Sequence, residues 1–380
     1  MNFDYSEEQQ LLADSIRRFV AKDYDFEARK KIVASKQGAS EEVWKTFAEM
    51  GLLGIPFAPE QGGFGGGATD LMSAMEAIGE GLVVEPFLAT VGLAAQLVAR
   101  GGSEAQKKAI LPAVIEGRLK MAFAHTENGA RYDLAHVSAS AKKAGSVWLL
   151  DGEKRVVLGA PLADKLVVSA RTSGRAAEPQ GISLFLVDRA AAGVGLRPYA
   201  TLDEMRAADV TLKGVEVGAD ALVGREGGAL ALIEEVVDFA TALVCAEAIG
   251  AMKQANDATL EYLKTRKQFG VPIGTFQALQ HRMVDMVIAA EQARSMAYLA
   301  CAKVDGEKDA RERARLVSAA KVKIADACRH VSQESIQLHG GMGMTEELKV
   351  SHTFRRLTMI TQQFGDAEHH LTRFAALDRS

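Results

Sequence analysis

The sequence predicts a mainly α-helical protein with a β domain set into its middle. Three observations carry that prediction. Apolar residues recur at helical spacing up to about residue 118. The period then shortens into β-branched runs between residues 119 and 222. From residue 223 the helical period returns and stays. The 380 residues thus divide into an N-terminal helical domain (1–118), an antiparallel β-barrel or sandwich domain (119–222) and a C-terminal four-helix bundle (223–380).

Composition narrows the classes. Hydrophobic residues are 48% and charged residues 25% of the chain, the profile of a globular protein. A net charge of −4 supplies no global basic field for nucleic acid. The stretch Met1-Asn-Phe-Asp-Tyr-Ser-Glu-Glu is acidic and lacks an apolar signal core. No uncharged apolar run is long enough to span a bilayer. Cys245, Cys301 and Cys328 are odd in number, far apart and set in apolar helical patterns. Reduced core thiols and a cytoplasmic location are expected.

The elements follow in order. Ser6, with Glu7, Glu8 and Gln9 after it, reads as a helix cap, and Leu11, Leu12, Ile16, Phe19 and Val20 then recur at helical spacing. Glu41 to Met50 repeats the style, stopped by Gly51 and Gly54. The run Gln61-Gly-Gly-Phe-Gly-Gly-Gly lacks a preceding strand and a Lys-Ser/Thr ending, so it reads as a loop before a helix opening near Asp70 rather than as a phosphate cradle. Strands are expected at 121–125, 146–150, 155–158, 165–171, 182–187 and 209–217, with Asp151-Gly152 as a hairpin turn. Short strands at close spacing argue against a βαβ array, and no G-x-G-x-x-G opens a helix after a strand. Ala229 to Phe269 has no proline and would span roughly 60 Å as one helix. Further helices are expected at 276–304, 311–338, 346–360 and 367–377.

Two corners stand out in the C-terminal part. In the first, Tyr262 and Arg266 share one helix face, Gly270 sits at a left-handed cap position, Pro272 stops the helix, and Thr275 can cap the next. It offers Arg266, Gln268 and Phe269 together, a set suited to a phosphate-bearing, ring-containing ligand. On the residues alone, Arg266 can equally complement the helix dipole and Phe269 can equally be core. The second corner, Gln337-Leu-His-Gly-Gly-Met-Gly-Met, permits close backbone approach to a ligand, or is simply a glycine helix cap.

Together the corners resemble the acyl-CoA dehydrogenase family, whose members carry an Arg-x-x-Phe-Gly-x-Pro-Ile corner, then Phe-Gln and a second Gln, then a Gln-x-x-Gly-Gly-x-Gly corner. Here these are Arg266, Phe269, Gly270, Pro272, Ile273, Phe276, Gln277 and Gln280, then Gln337, Gly340, Gly341 and Gly343. More narrowly, Ala122-Phe-Ala-His-Thr-Glu, Arg131-Tyr-Asp-Leu and Phe364-Gly-Asp-Ala-Glu-His-His resemble the small subunits of pimeloyl-CoA dehydrogenases. The resemblance implies α,β-desaturation of an acyl-CoA thioester. A Glu takes the α-proton and the β-hydrogen leaves as hydride to FAD, whose electrons pass to an electron-transfer flavoprotein. It also implies that adjacent subunits share each FAD. Arg266, Gln268, Phe269, Gln277, Gln337 and Gly341 then take roles toward the adenosine and pyrophosphate half, with Thr126 as a further cofactor-binding position in the strand domain.

The chain departs from the family where chemistry would occur. The usual base position, before a Gly near the C-terminus, is Phe364, and its alternative on the first bundle helix is Ala240. Neither side chain takes a proton, and a positioned base contributes typically ~10²–10⁴ in rate. Fallback bases are Glu247, expected to be partly buried, and Asp366, with Asp238 and Glu368 nearby in sequence. The family's Thr-Glu-Pro-x-x-Gly-Ser-Asp is here Thr126-Glu-Asn-Gly-Ala-Arg-Tyr-Asp, and Val156 replaces a Trp that packs near the flavin ring. The losses fall on the ring half and the retained residues on the adenosine half. One arrangement explains both. The chain is the small subunit of a hetero-oligomer, a tetramer, whose other acyl-CoA dehydrogenase-like subunit supplies the catalytic Glu. The substrate would be an acyl-CoA, with a dicarboxylyl-CoA such as pimeloyl-CoA suggested by the narrower resemblance. The alternatives are a self-sufficient homotetramer with a relocated base and a non-catalytic flavin-binding scaffold.

Overall fold

A computed structural model describes residues 5–378. Their contacts separate into two compact units, Met1–Lys31 with Gly67–Val83 and Thr241–Ser380, and Ile32–Gly66 with Val84–Ala240. Helix α7 (Leu230–Thr265) contributes to both. Among the described residues, no helix is long and apolar enough to cross a membrane.

The helical unit is built from α1 (Glu7–Asp23), most of α2 (Phe26–Ala34), α4 (Ala68–Gly81), the C-terminal part of α7, α8 (Gln277–Gly306), α9 (Ala310–His339), α10 (Lys349–Gln362) and α11 (Ala367–Asp378). Ser6 starts α1 with a full capping box. Its hydroxyl accepts from the Gln9 amide, and the Gln9 side chain accepts from the Ser6 amide. Helices α4 and α7 touch backbone to backbone. A Cβ on Gly250 would stand 1.8 Å from the Glu76 carbonyl, and one on Gly79 would stand 2.0 Å from the Glu247 carbonyl. Asp305 at the end of α8 accepts from the Ala68 and Thr69 amides, so it caps α4 from a distant point in sequence. Cys245, Cys301 and Cys328 are free, buried thiols, and burial pushes those of Cys245 and Cys328 up to about 12.

The second unit holds α3 (Glu41–Glu49), a π-helical stretch at Leu88–Ala94, α5 (Ala95–Gly101), α6 (Glu104–Ile115) and an eight-stranded sheet. Its strands are β1 (Met121–Ala124), β2 (Ser140–Ala144), β3 (Val147–Leu158), β4 (Lys165–Arg171), β5 (Ile182–Asp188), β6 (Val194–Ala200), β7 (Arg206–Gly218) and β8 (Leu222–Val223). The order is β6-β7-β3-β2-β4-β5-β8, with β1 paired parallel to β4. Trp148, Leu150, Leu166, Val168, Phe185 and Val210 fill the core of this sheet.

Three local expectations are corrected. Asp151-Gly152 is not a hairpin turn. β3 runs straight through it with a register shift, because Gly152 (φ +147°) faces the Ala139 backbone at a distance no side chain tolerates. The hairpin turn is Gly145-Ser146, between β2 and β3. Strands β2 and β6 carried no β signal. β2 reads Ser-Ala-Lys-Lys-Ala, and β6 is a largely exposed edge strand containing Gly195 and Pro198. Finally, Thr275 does not cap α8. Its hydroxyl donates to the Pro272 carbonyl, and Phe276 occupies the cap position.

Candidate functional site

The first corner is a miniature hairpin. α7 ends at Thr265, and β9 (Lys267–Gln268) pairs antiparallel with β10 (Val271–Pro272). Phe269 (φ +53°) and Gly270 (φ +81°) form the two-residue turn between them. Both central residues are left-handed, as the twist of so short a hairpin requires. The turn thrusts the Phe269 ring into solvent, 92% exposed, so it is not a core residue. The ring makes an edge contact with Phe276, centroids 6.1 Å apart. The Arg266 guanidinium and the Gln277 amide are exposed, with no side-chain hydrogen bond among the described residues. Gln268 donates to the neighbouring Lys267 carbonyl.

The second corner follows α9. Gly340 (φ +58°) closes the helix, and a 3₁₀ turn covers Gly340–Met344. The cap reading of these glycines therefore holds, yet they do more than cap. Nothing lies within 4 Å of a Cβ built on Gly340 or Gly341, so the backbone there lies open to an incoming group. Gln337 is exposed beside it, and Met344 is 78% exposed. The corners are tied together by Tyr262 and His339, whose rings stack at 4.5 Å. His339 is fixed by a 2.7 Å bond from Nδ1 to the Ser335 carbonyl, and burial lowers its pKa. The stack was not foreseen from sequence, although Tyr262 and Arg266 were placed on one helix face. The resulting surface of free amide and guanidinium donors, open glycine backbone and a bare aromatic ring fits a phosphate-containing nucleotide tail.

The base positions are different. Phe364 (φ +60°) sits on a tight turn that ends α10. Lys321, fully buried, donates to the Gly365 carbonyl at 2.8 Å. His370 Nε2 donates to the Phe364 carbonyl at 3.2 Å while Nδ1 accepts from Ser318. Burial and the nearby Lys321 charge push His370 down to about 2, so it stays neutral. Asp366 accepts from the His369 amide at 2.8 Å, capping α11. Ala240 is buried on α7. Glu247 is buried and grips Arg356 with both oxygens, at 2.6 and 2.7 Å. Sequence reading missed Arg356, since a pair 109 residues apart leaves no local pattern.

In the strand unit, a buried network fixes the segment after β1. Lys154 Nζ is fully buried and donates to Glu127 (2.6 Å), Ser169 (2.9 Å) and the His125 carbonyl (3.2 Å). Glu127 also accepts from the Ser138 and Ala139 amides. Burial opposes ionisation of Glu127, but Lys154 and these amides outweigh it and lower its pKa. Burial draws Lys154 down to about 8 and His125 down to about 3. Thr126, Arg131 (φ +47°) and Tyr132 lie on this pinned segment, and the Thr126 carbonyl accepts from the Arg155 amide at 2.7 Å. Val156 follows, 49% exposed and left-handed (φ +51°), an outlier for a β-branched side chain. Asp209 holds it there, accepting from the Val156 amide, Arg155, Arg197 and Tyr199. Burial opposes ionisation of Asp209, but the bonds from Arg197, Arg155, the Val156 amide and Tyr199 together outweigh it and bring its pKa down to about 2.

Among the described residues six non-glycine positions are left-handed, and four of them, Arg131, Val156, Phe269 and Phe364, are positions at which the sequence placed a site feature or its loss. Strained backbone concentrates at functional sites.

Comparison with known proteins agrees with this layout. Models of the acyl-CoA dehydrogenase N-terminal, middle and C-terminal domains match residues 6–118, 122–215 and 227–376. The chain is 30% identical to the acyl-CoA dehydrogenase FadE12 of Mycobacterium tuberculosis, over 92% of this chain and 90% of that protein. It is 28% identical to subunit CarC of the caffeyl-CoA reductase-Etf complex of Acetobacterium woodii, over 96% of both. A chain of the ChsE4-ChsE5 complex of Mycobacterium tuberculosis superposes with a TM-score of 0.89 at 25% identity, over the full length of both. With the helix–sheet–helix order, both corners and these matches in agreement, the chain belongs to the acyl-CoA dehydrogenase family, FAD-dependent oxidoreductases acting on CH–CH bonds.

Proposed function

We propose that this chain is the nucleotide-holding subunit of a hetero-oligomeric acyl-CoA dehydrogenase, probed best by asking what its own carboxylates are doing. Of the two usual base positions and their two fallbacks, Phe364 and Ala240 carry no proton acceptor, Glu247 is bound to Arg356, and Asp366 caps a helix. That is the observation on which the proposal rests. The partner subunit supplies the catalytic Glu and the acyl-CoA pocket.

Arg266, Gln268, Phe269, Gln277, Gln337 and Gly341 hold the adenosine and pyrophosphate half of FAD. Arg266 meets the pyrophosphate with its planar donors, and the open Gly341 backbone lets the cofactor approach. When bound, FAD supplies the hydride acceptor. The exposed apolar side chains around the corners, Phe269, Val271, Phe276 and Met344, together with Val284, Val287 and Ile288 along one face of α8, suit burial against another chain. Thr126 and the segment bearing Arg131 and Tyr132 form a ring-side site that is vestigial. The heteromeric ChsE4-ChsE5 complex and the Etf-associated CarC support subunit pairing and an electron-transfer flavoprotein as acceptor. A dicarboxylyl-CoA such as pimeloyl-CoA is the substrate suggested by the narrower sequence resemblance.

The experiment is co-purification. The chain is expressed alone and with the acyl-CoA dehydrogenase-like product of a neighbouring gene, and flavin per chain and acyl-CoA oxidation are measured. The proposal expects fewer flavins than chains and activity only in the pair. A yellow, active preparation of this chain alone rejects it in favour of a homotetramer with a relocated base.

A further inference from the structure

We propose that Lys349 is a site of N-acylation, its side-chain amine taking the acyl group from an acyl-CoA thioester that enters the cavity bordered by α1, α4, α7 and α10. The cavity measures about 510 Å³, and Arg17, Tyr24, Glu80, Lys253, Asp257 and Lys349 are among the side chains that line it. All belong to the helical unit.

The carboxylates around Lys349 are already committed to other partners. Arg17 pairs with Glu80 at 2.8 Å. Lys253 pairs with Asp257 at 2.7 Å and lies 3.9 Å from Glu80. Asp25, also on the wall, accepts from the Ala28 amide at the start of α2. Lys349 Nζ donates to the Glu80 backbone carbonyl at 2.7 Å and has no carboxylate in range among the described residues. Burial, reinforced by the charge of Arg29 and partly offset by that of Glu80, draws it down to about 8, so the neutral amine is more populated near physiological pH than for an ordinary lysine. A neutral amine whose one N–H is held by a carbonyl keeps its lone pair available. The cavity that Lys349 lines gives a thioester a route to this amine.

The step balances without any oxidant. The amine attacks the thioester carbonyl, a C–N bond forms, the C–S bond breaks, CoA leaves as the thiolate, and the surplus ammonium proton passes to water. An amide replaces an ammonium, so one positive charge disappears beside Arg29.

The test uses the full chain, alone or with its partner subunit, incubated with acetyl-CoA at pH 7 and pH 8. Acetylation at each lysine is then quantified by peptide mass spectrometry. Lys349 is expected to react at least ~10-fold faster than the well-exposed Lys45, because its amine lines the cavity and its pKa lies below the ordinary lysine value. The preference should vanish in urea, and Lys349→Arg should remove only that site. Acetylation of Lys349 no faster than Lys45 overturns the proposal. The readout is a mass change, independent of flavin content, so its failure is separable from failure of the subunit reading.

Discussion

Arg356 on α10 holds both carboxylate oxygens of Glu247 on α7, and both side chains are buried. That pairing commits both oxygens of the carboxylate. Replacing Arg356 with Met leaves an uncompensated buried charge and should cost about 3–5 kcal/mol of stability, read as a drop in the urea midpoint. Glu247→Gln should lower stability as well but leave turnover per bound flavin in the native assembly within twofold. A large loss of turnover in folded Glu247→Gln would restore Glu247 as the base.

The nucleotide corners predict a flavin-content effect without a fold effect. Arg266→Ala removes an exposed guanidinium with no side-chain partner among the described residues, so the melting temperature of the chain should hardly move. Charge-assisted bonds contribute about 1.5–3 kcal/mol each, so FAD affinity of the assembly should fall roughly 10- to 100-fold. Arg175→Ala, on an exposed loop of the strand unit, is the matched control. Unchanged flavin titration for Arg266→Ala excludes it from the cofactor site.

Gly250 is predicted to be irreplaceable for a reason opposite to helix propensity. In an exposed helix interior Gly→Ala stabilises by about 1 kcal/mol. Here the added methyl would collide with the Glu76 carbonyl across the α4–α7 contact. Gly250→Ala should therefore destabilise by about 1–3 kcal/mol, measured by chemical denaturation. The same test on Gly306, which has open space around it, should show no collision penalty.

Val156 is a β-branched side chain held left-handed and half exposed. Relieving that strain with Val156→Gly should be neutral or stabilise by about 1 kcal/mol. Asp209→Asn, which weakens the brace, should make Val156 more protease-sensitive under native conditions. A clear destabilisation by Val156→Gly would mean its side chain packs against something in the native assembly.

Acid sensitivity follows from two neutral, buried histidines. His125 and His370 are drawn down to about 3 and about 2, below their unfolded value of about 6.5. Between those limits the unfolded chain binds the protons first, so stability falls as pH drops through 6.5. The limiting slope is about 1.4 kcal/mol per pH unit for each histidine. The lowered carboxylates Glu127 and Asp209 add their own loss only at more acidic pH. Urea midpoints at pH 7.5 and pH 5 check this, and equal midpoints reject it.

Much of the molecule was readable from residue order. The Ser6 cap, the glycine stop at Gly51, the length of α7 and the switch to strands near residue 121 all rest on neighbours within a few positions. The same holds for the corner motifs, whose Arg266, Gln337 and glycines are contiguous signatures. Local turn chemistry misled where a distant strand intervened. Asp151-Gly152 has turn composition, yet the approach of Ala139 makes it a bulge.

The sequence by itself determined the succession of helical, strand and helical regions, the two corners and the absence of an acid at Phe364 and Ala240, because these are properties of short windows and residue identity. Only the tertiary structure decided what the remaining acids do. Glu247 meets Arg356, Glu127 meets Lys154, and Asp209 meets Arg155 and Arg197 across 12 to 109 residues. It also decided that Phe269 points outward and that Lys349 has a carbonyl instead of a carboxylate. A charge is defined by its identity, but its chemistry is set by the groups that folding brings within hydrogen-bond range and by how much water is left around them.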